Sequence, residues 1–279
     1  MISKAELQQR IVQTVRDVRE TNPMAGSITN TVTVNFVANA QIAAGGSAAM
    51  VYLPDEGEFL ATAGWATYIN MGTLFPVYEE TLPRTAQTLH DASRPWVLDP
   101  VGIGIGSLRT RLLQQLRPYK PTVIRGNASE IIALASLWEV AVDDTTARVR
   151  GVDSTQGVGE ARAAAIALAR YTDGAVAVSG VDDLVTDGNV VARSHGGSHF
   201  MAKITGSGCS LGGMAAVYST MAPSPFTAAL TAVNAYNLAG SRAERRVDGP
   251  GSFQVAFLDE LYKASAEDIA RNPFELEEA

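Results

Sequence analysis

The residues best suited to chemistry stand together in Thr205-Gly206-Ser207-Gly208-Cys209-Ser210-Leu211-Gly212-Gly213, between the apolar run Phe200 to Ile204 and a helical stretch. Glycines just before a helix leave several backbone N–H groups aimed at one point, where the helix dipole also favours negative charge. The segment therefore reads as an anion hole. A thiol at the same helix start, Cys209, is expected to have its pKa lowered from the free value of ~8.5, which would make it a proton acceptor. The other reading is an inert buried thiol beside glycines that serve helix packing, since free cysteine is among the most buried residue types. Nucleophilic hydrolysis fits less well, because no His lies near Cys209 in sequence.

Further polar clusters close the short apolar runs: Asn70-Met71-Gly72, Asp99-Pro100-Val101-Gly102, Arg125-Gly126-Asn127 and Ser179-Gly180. Taken singly, Asp99 before Pro is an ordinary turn and Asn127 an ordinary helix N-cap. Taken together they matter, because in an open α/β sheet the carboxyl ends of the strands share one edge and ligands bind in the crevice there. The stretch Gly102-Ile103-Gly104-Ile105-Gly106 puts its third glycine one residue too early for a dinucleotide fingerprint, and no Walker A sequence occurs. One Cys and three His, at 90, 195 and 199, cannot build a Cys-rich zinc site.

The elements that must position these residues follow from periodicity. Apolar runs at 66–70, 96–98, 122–124 and 175–178 alternate with helix-period stretches at 77–92, 107–117, 128–137 and 157–171. That alternation predicts an α/β fold with a mostly parallel sheet covered on both faces. Asp187-Gly188 between two apolar triplets predicts a late antiparallel hairpin with a type I′ turn. Helices are expected at 209–221, 224–246 and 252–264. At the other end, Leu7, Ile11, Val15 and Val18 line one helix face that Ser3 and Glu6 would cap.

No linker, repeat or composition shift divides the 279 residues, so a single domain over 1–279 is expected, with a short acidic tail from about 266. Twenty-two Lys+Arg against 29 Asp+Glu give a formal charge of −7, with no basic run, which argues against nucleic acid and against a membrane surface as partners. Nothing reads as a signal peptide, transit peptide or membrane span, so a soluble cytoplasmic protein is expected.

Several segments then carry a wider resemblance. They are Ile28-Thr29-Asn30-Thr31-Val32 with Asn35 and Ala38-Asn39; Ala44-Gly45-Gly46-Ser47 leading to Met50; Ile69 to Leu74; Leu98 to Gly102; Ile124 to Asn127 with Glu130; Arg150 to Ser154; and Thr205 to Cys209. In order and spacing, over about 20 to 265, they resemble the hydroxyethylthiazole kinase family. The resemblance implies a ribokinase-like three-layer α/β/α sandwich, and transfer of the γ-phosphate of ATP to the primary alcohol of 4-methyl-5-(2-hydroxyethyl)thiazole in thiamine salvage. It also implies a homotrimer with the thiazole pocket at the subunit interface.

By the same resemblance, Arg125, Ser179 and Asn127 would contact ATP, and Asp99 and Glu130 would position Mg2+. Gly206, Ser207 and Gly208 would hold the transferring phosphoryl group, and Cys209 would take the alcohol proton. Met50 and the Gly206 backbone would contact the thiazole, with Asn30, Val32 and Asn35 lining its pocket. The chain departs from the family pattern at Ala48-Ala49, Ser207, Gly106 and Val181-Asp182-Asp183. Two other readings are a related small-alcohol kinase for a pyrimidine or pyridoxal-like substrate, which would carry Asp at position 209, and a non-catalytic thiazole- or nucleotide-binding protein, which would need a damaged anion hole.

Overall fold

The structure, a computed structural model, describes residues 2–142 and 154–279; the Arg150-to-Asp153 part of the resemblance lies outside them. One sheet holds nine strands: β1 (Met24–Ile28), β2 (Ser47–Met50), β3 (Ala66–Asn70), β4 (Trp96–Asp99), β5 (Val123–Asn127), β6 (Ala175–Ser179), β7 (Asp183–Thr186), β8 (Val190–Ser194) and β9 (Phe274–Glu278). Their order is β2-β1-β3-β4-β5-β6-β7-β8-β9. The pairings from β2 through β6 are parallel, and β7, β8 and β9 add on antiparallel.

β3 to β6 are buried on both faces, which is why they read as apolar runs, whereas the edge strand β2 is half-buried. Period-two alternation divides each between two cores. Tyr68, Val97, Val123 and Ala175 face one side, and Ile69, Leu98, Ile124 and Val176 the other. The first core is closed by α1 (Lys4–Thr21), α2 (Val34–Ala44), α8 (Ser207–Ser219), α9 (Pro225–Glu244), α10 (Pro250–Lys263) and α11 (Ala266–Arg271). The second is closed by α3 (Pro54–Ala63), α4 (Tyr78–Asp91), α5 (Ser107–Leu116), α6 (Ala128–Leu137) and α7 (Ser154–Thr172). The result is the three-layer sandwich expected. Among the described residues no helix is long and apolar enough to cross a membrane.

Two expectations are corrected. The acidic C-terminus is not a tail: α11 and β9 follow α10, and β9 pairs with β8 from Phe274↔Ser194 to Glu278↔Val190. Phe274 is buried while the glutamates between its inward positions meet solvent, so a strand alternation was masked by acidic composition. The hairpin exists, but Thr186 pairs with Val191 across a longer loop, in which only Gly188 has positive φ. A type I′ turn needs two such residues. Asp187 instead accepts N–H bonds from Asn189 and Val190, an Asx turn.

Candidate active site

The carboxyl ends of β1, β3, β4, β5 and β6 meet the N-terminus of α8, and two clefts open there. The larger, about 650 Å³, is lined by Arg125, Ser179, Asp183, Ser207, Gly208 and Tyr236 among others. The second, about 400 Å³, is lined by Asn30, Val32, Asn127, Glu130, Gly206 and Cys209 among others. Arg125 and Gly208 belong to both, so the clefts join at that pair.

Arg125 leaves β5 and is almost fully buried. Its Nη2 donates to Ser179 Oγ on β6 at 2.9 Å, and its Nη1 lies 3.4 Å from Asp99 Oδ2 on β4. Its Nε is buried with no hydrogen-bond partner. A buried guanidinium N–H is costly to leave unpaired, so this donor asks for an anion. Gly208 makes the approach possible: a Cβ there would lie 2.4 Å from Arg125 Nη1. Gly206 caps the helix in the left-handed region, at φ 89°. The first N–H taken within α8 is that of Ser210, bonded to Gly206 O, so the N–H groups of residues 207–209 have no partner inside the helix. The geometry is one of free N–H groups at a helix start beside a buried arginine.

Asp99 lies fully buried beneath this junction. Its Oδ2 accepts from Tyr68 Oη at 2.9 Å and its Oδ1 from the Val101 N–H at 3.2 Å. Glu130 and Asn127 form the capping box of α6: Asn127 Oδ1 accepts from Glu130 N, and Glu130 Oε2 from Asn127 N at 2.8 Å. Burial pushes the Glu130 carboxyl above its ordinary value, against the pull of the Asn127 N–H, and the nearby Asp99 charge adds to the rise.

Cys209 sits in the first turn of α8, where a lowered thiol pKa was expected; the structure reverses that direction. Burial raises it first and the Asp99 carboxylate raises it further, against the Arg125 charge and an Asn30 hydrogen bond. A helix start weighs less than desolvation beside a buried carboxylate.

Of the other expected residues, Ser207 donates its Oγ to Met201 O and holds the helix start onto the 3₁₀ turn His199–Lys203. Val32 is 66% exposed at the rim. Met50 on β2 is half-buried against the α8 side of the sheet, and Asn35 is exposed and accepts from Asn39. Among the described residues lining the two clefts, neither Met50 nor Asn35 appears.

Sequence reasoning assigned no role to Tyr68, Asn70, Asp183 or Tyr236. Asn70 donates to Tyr68 Oη, which binds Asp99, and so ties β3 to the arginine. Asp183, almost fully buried, accepts from the Gly180 N–H at 3.0 Å and fixes the turn after Ser179. The signal for Asn70 was its place at a strand end; Tyr68 was hidden inside an apolar run.

A doubly covered, mostly parallel sheet, here with a buried arginine–aspartate pair and a glycine-led helix start at its strand ends, is a fold found among solved small-molecule kinases. A pyridoxal kinase from Staphylococcus aureus in complex with AMP-PCP and pyridoxal shares this fold, at TM-score 0.57 and 15% identity, over 92% of this chain and 99% of that one. The structure of a hydroxyethylthiazole kinase protein from Pyrococcus horikoshii OT3 is nearer, at TM-score 0.84 and 28% identity, over 97% and 99%.

The sequence comparisons narrow the class. The profile of the hydroxyethylthiazole kinase family matches residues 15–267. Proteins named hydroxyethylthiazole kinase from Bifidobacterium longum (strain DJO10A) and Rhizobium rhizogenes (strain K84 / ATCC BAA-868) are 50% and 45% identical. They cover 95% and 88% of this chain, and 90% and 88% of those proteins are matched. The chain belongs to the hydroxyethylthiazole kinase family.

Proposed function

We propose that the chain carries out the reaction of its family, ATP-dependent phosphorylation of the primary hydroxyl of 4-methyl-5-(2-hydroxyethyl)thiazole in thiamine biosynthesis, with the two clefts dividing the substrates. ATP occupies the larger cleft and the alcohol the smaller. The γ-phosphate lies at their junction. The observation that carries this reading is the almost fully buried Arg125, which lines both clefts where they meet, beside the free N–H groups of α8.

Arg125 and Ser179 hold the polyphosphate in the larger cleft, and Asn127, on the smaller one, meets its γ end across the junction. The backbone of Gly206, Ser207 and Gly208 receives the charge that spreads over the phosphoryl oxygens, as a loose transition state requires. Cys209 takes the alcohol proton. Its raised pKa leaves little thiolate at neutral pH, which the reaction tolerates because phosphoryl transfer depends more on positioning and charge neutralisation than on the base.

A kinase reaction implies Mg2+, and the donor set fits it. Among the described residues no cluster of three acidic, His or Cys side chains forms a closed cage. Mg2+ favours one or two carboxylates with water and phosphate oxygens completing its shell. Glu130 faces the smaller cleft, and Asp99 lies behind it with both oxygens already accepting hydrogen bonds. Glu130 and Asp99 would hold the ion, which when bound neutralises phosphate charge.

Val32 lines the smaller cleft, whereas Met50 and Asn35 contact the thiazole only if a second surface closes over the β2 edge. Val32, Ile42, Leu53 and Phe59 lie exposed on α2, α3 and the segments beside β2. An apolar edge of this kind supports the homotrimer, with the thiazole pocket completed by a neighbouring copy. ATP as co-substrate goes with a cytoplasmic location.

Purified protein with MgATP and the thiazole alcohol should release ADP and form the phosphate ester in equal amounts. No ester at millimolar alcohol sinks the reading. ADP release without ester would leave only nucleotide handling.

A further inference from the structure

The sulfur of Cys209 is held by two side-chain amides: Asn70 Nδ2 lies 3.3 Å from Sγ and Asn30 Nδ2 3.5 Å. Neither amide is free to turn. Asn70 Oδ1 accepts from the Gly72 N–H at 2.9 Å and from Asn30 Nδ2 at 3.0 Å. Asn30 Oδ1 accepts from the N–H groups of Val32 and Thr33, both at 3.1 Å. Rotating either amide would take the acceptor from the part-buried N–H of Gly72 or Val32 and set a carbonyl oxygen against the sulfur. The turns after β1 and β3 therefore dictate that both Nδ2 groups face Sγ. All four N–H bonds of the pair are used, on Cys209, Cys209, Tyr68 Oη and Asn70 Oδ1.

We propose that Asn70, with Asn30, is a positioning residue for phosphoryl transfer, holding the Cys209 sulfur toward the smaller cleft and donating N–H to it while it acts as base. This rests on the assignment of Cys209 as base. In that step the alcohol O–H breaks and its proton moves to the Cys209 thiolate as the oxygen bonds the γ-phosphorus. The bond from that phosphorus to the bridging oxygen breaks, and its electron pair leaves on ADP. N–H donation favours the anionic form of the sulfur, adding to the Arg125 charge and the Thr33 side chain in a place where burial and Asp99 disfavour it.

The test is a double-mutant cycle. Asn70→Asp keeps the acceptor for Gly72 and removes the donor; Asn70→Leu removes the donor without adding charge; Asn30→Asp repeats the experiment on the second amide. Each is made with Cys209 and with Cys209→Ala, and melting temperatures identify variants that fold. In the presence of the sulfur, kcat should fall about tenfold or more, with KM for both substrates changed less than about threefold. In the Cys209→Ala background the same substitutions should cost less than about twofold, because a group that acts through the sulfur has nothing left to act on. An equal loss with and without Cys209 would show a purely structural role and overturn the proposal. If Cys209→Ala is impaired and the folded amide variants are not, the proposal fails alone. If Cys209→Ala is as active as the parent, the base assignment fails and takes the proposal with it.

Discussion

The transfer centre and the β2 edge both hold residues that the family resemblance marks for function, yet folding treats them differently. At the centre Asp99 is 0% exposed and Arg125 and Cys209 8% each, and they interlock through Tyr68, Asn70 and Ser179. Toward the edge Val32 is 66% exposed at the cleft rim, Asn35 is exposed and hydrogen-bonds Asn39 on its own helix, and Met50 and Asn35 line neither cleft. A buried polar network must be satisfied inside one chain, because each unmade bond there is costly. A substrate wall at a sheet edge carries no such requirement and can be left for another surface to finish. The centre is thus made by the fold, and the edge is where the proposed assembly would complete the site.

The heaviest blow to the centre is Arg125→Met. It removes the charge facing the phosphates and leaves the buried Asp99 carboxylate without its cation. We expect kcat to drop on the order of 10²- to 10³-fold and stability to fall by about 3–5 kcal/mol. ADP release and chemical denaturation measure the two. A loss of turnover with unchanged stability would mean the ion pair does not hold the centre together. Gly208→Ala separates position from charge: its Cβ would displace the guanidinium it now lies against. A misplacement of about 1 Å can cost on the order of 10²-fold in rate, so kcat should fall steeply; Nη1, the atom nearest Asp99, is shifted but its charge stays close, so stability should fall less than in Arg125→Met. Equal stability losses in the two variants would remove that distinction.

The edge is attacked with Ile42→Glu and Phe59→Glu, which place charge on exposed apolar positions. Sedimentation should show a smaller assembly, and KM for the thiazole should rise about tenfold or more, in line with losing roughly 1.4 kcal/mol or more of contact. The fold of the chain should survive, since both side chains already face solvent. A monomer with unchanged KM would break the contrast, because the thiazole wall would then be complete within one chain.

How much of this was legible follows the same division. The alternation of β3 to β6 with their helices was readable because strands buried on both faces produce continuous apolar runs bounded by polar turns. β1 and β2 were not read as strands: Met-Ala-Gly-Ser-Ile and Ser-Ala-Ala-Met are short, small-residue segments whose burial depends on α2, α3 and α8. β9 was concealed by its glutamates. At the site, the helix start and the strand-end residues were visible from local rules. The direction of the Cys209 pKa was not, because it is set by Asp99, 110 positions away in the chain, and by how deeply α8 is buried. Local sequence carries the helix dipole but not the desolvation that outweighs it.

That reversal supplies the mildest prediction. A base works only when deprotonated, and a raised pKa leaves less thiolate at neutral pH. kcat should therefore climb with pH through the ordinary thiol range and beyond it, by at most tenfold per pH unit. Cys209→Asp should flatten the alkaline limb, because a carboxylate is already ionised there, and should retain much of the turnover. The arginine and the helix N–H groups do not titrate in this range, so the slope isolates the sulfur from the rest of the buried centre. A flat profile between about pH 7 and 9.5 in the parent would mean that no thiol ionisation limits the step, and that the centre works by position and charge alone.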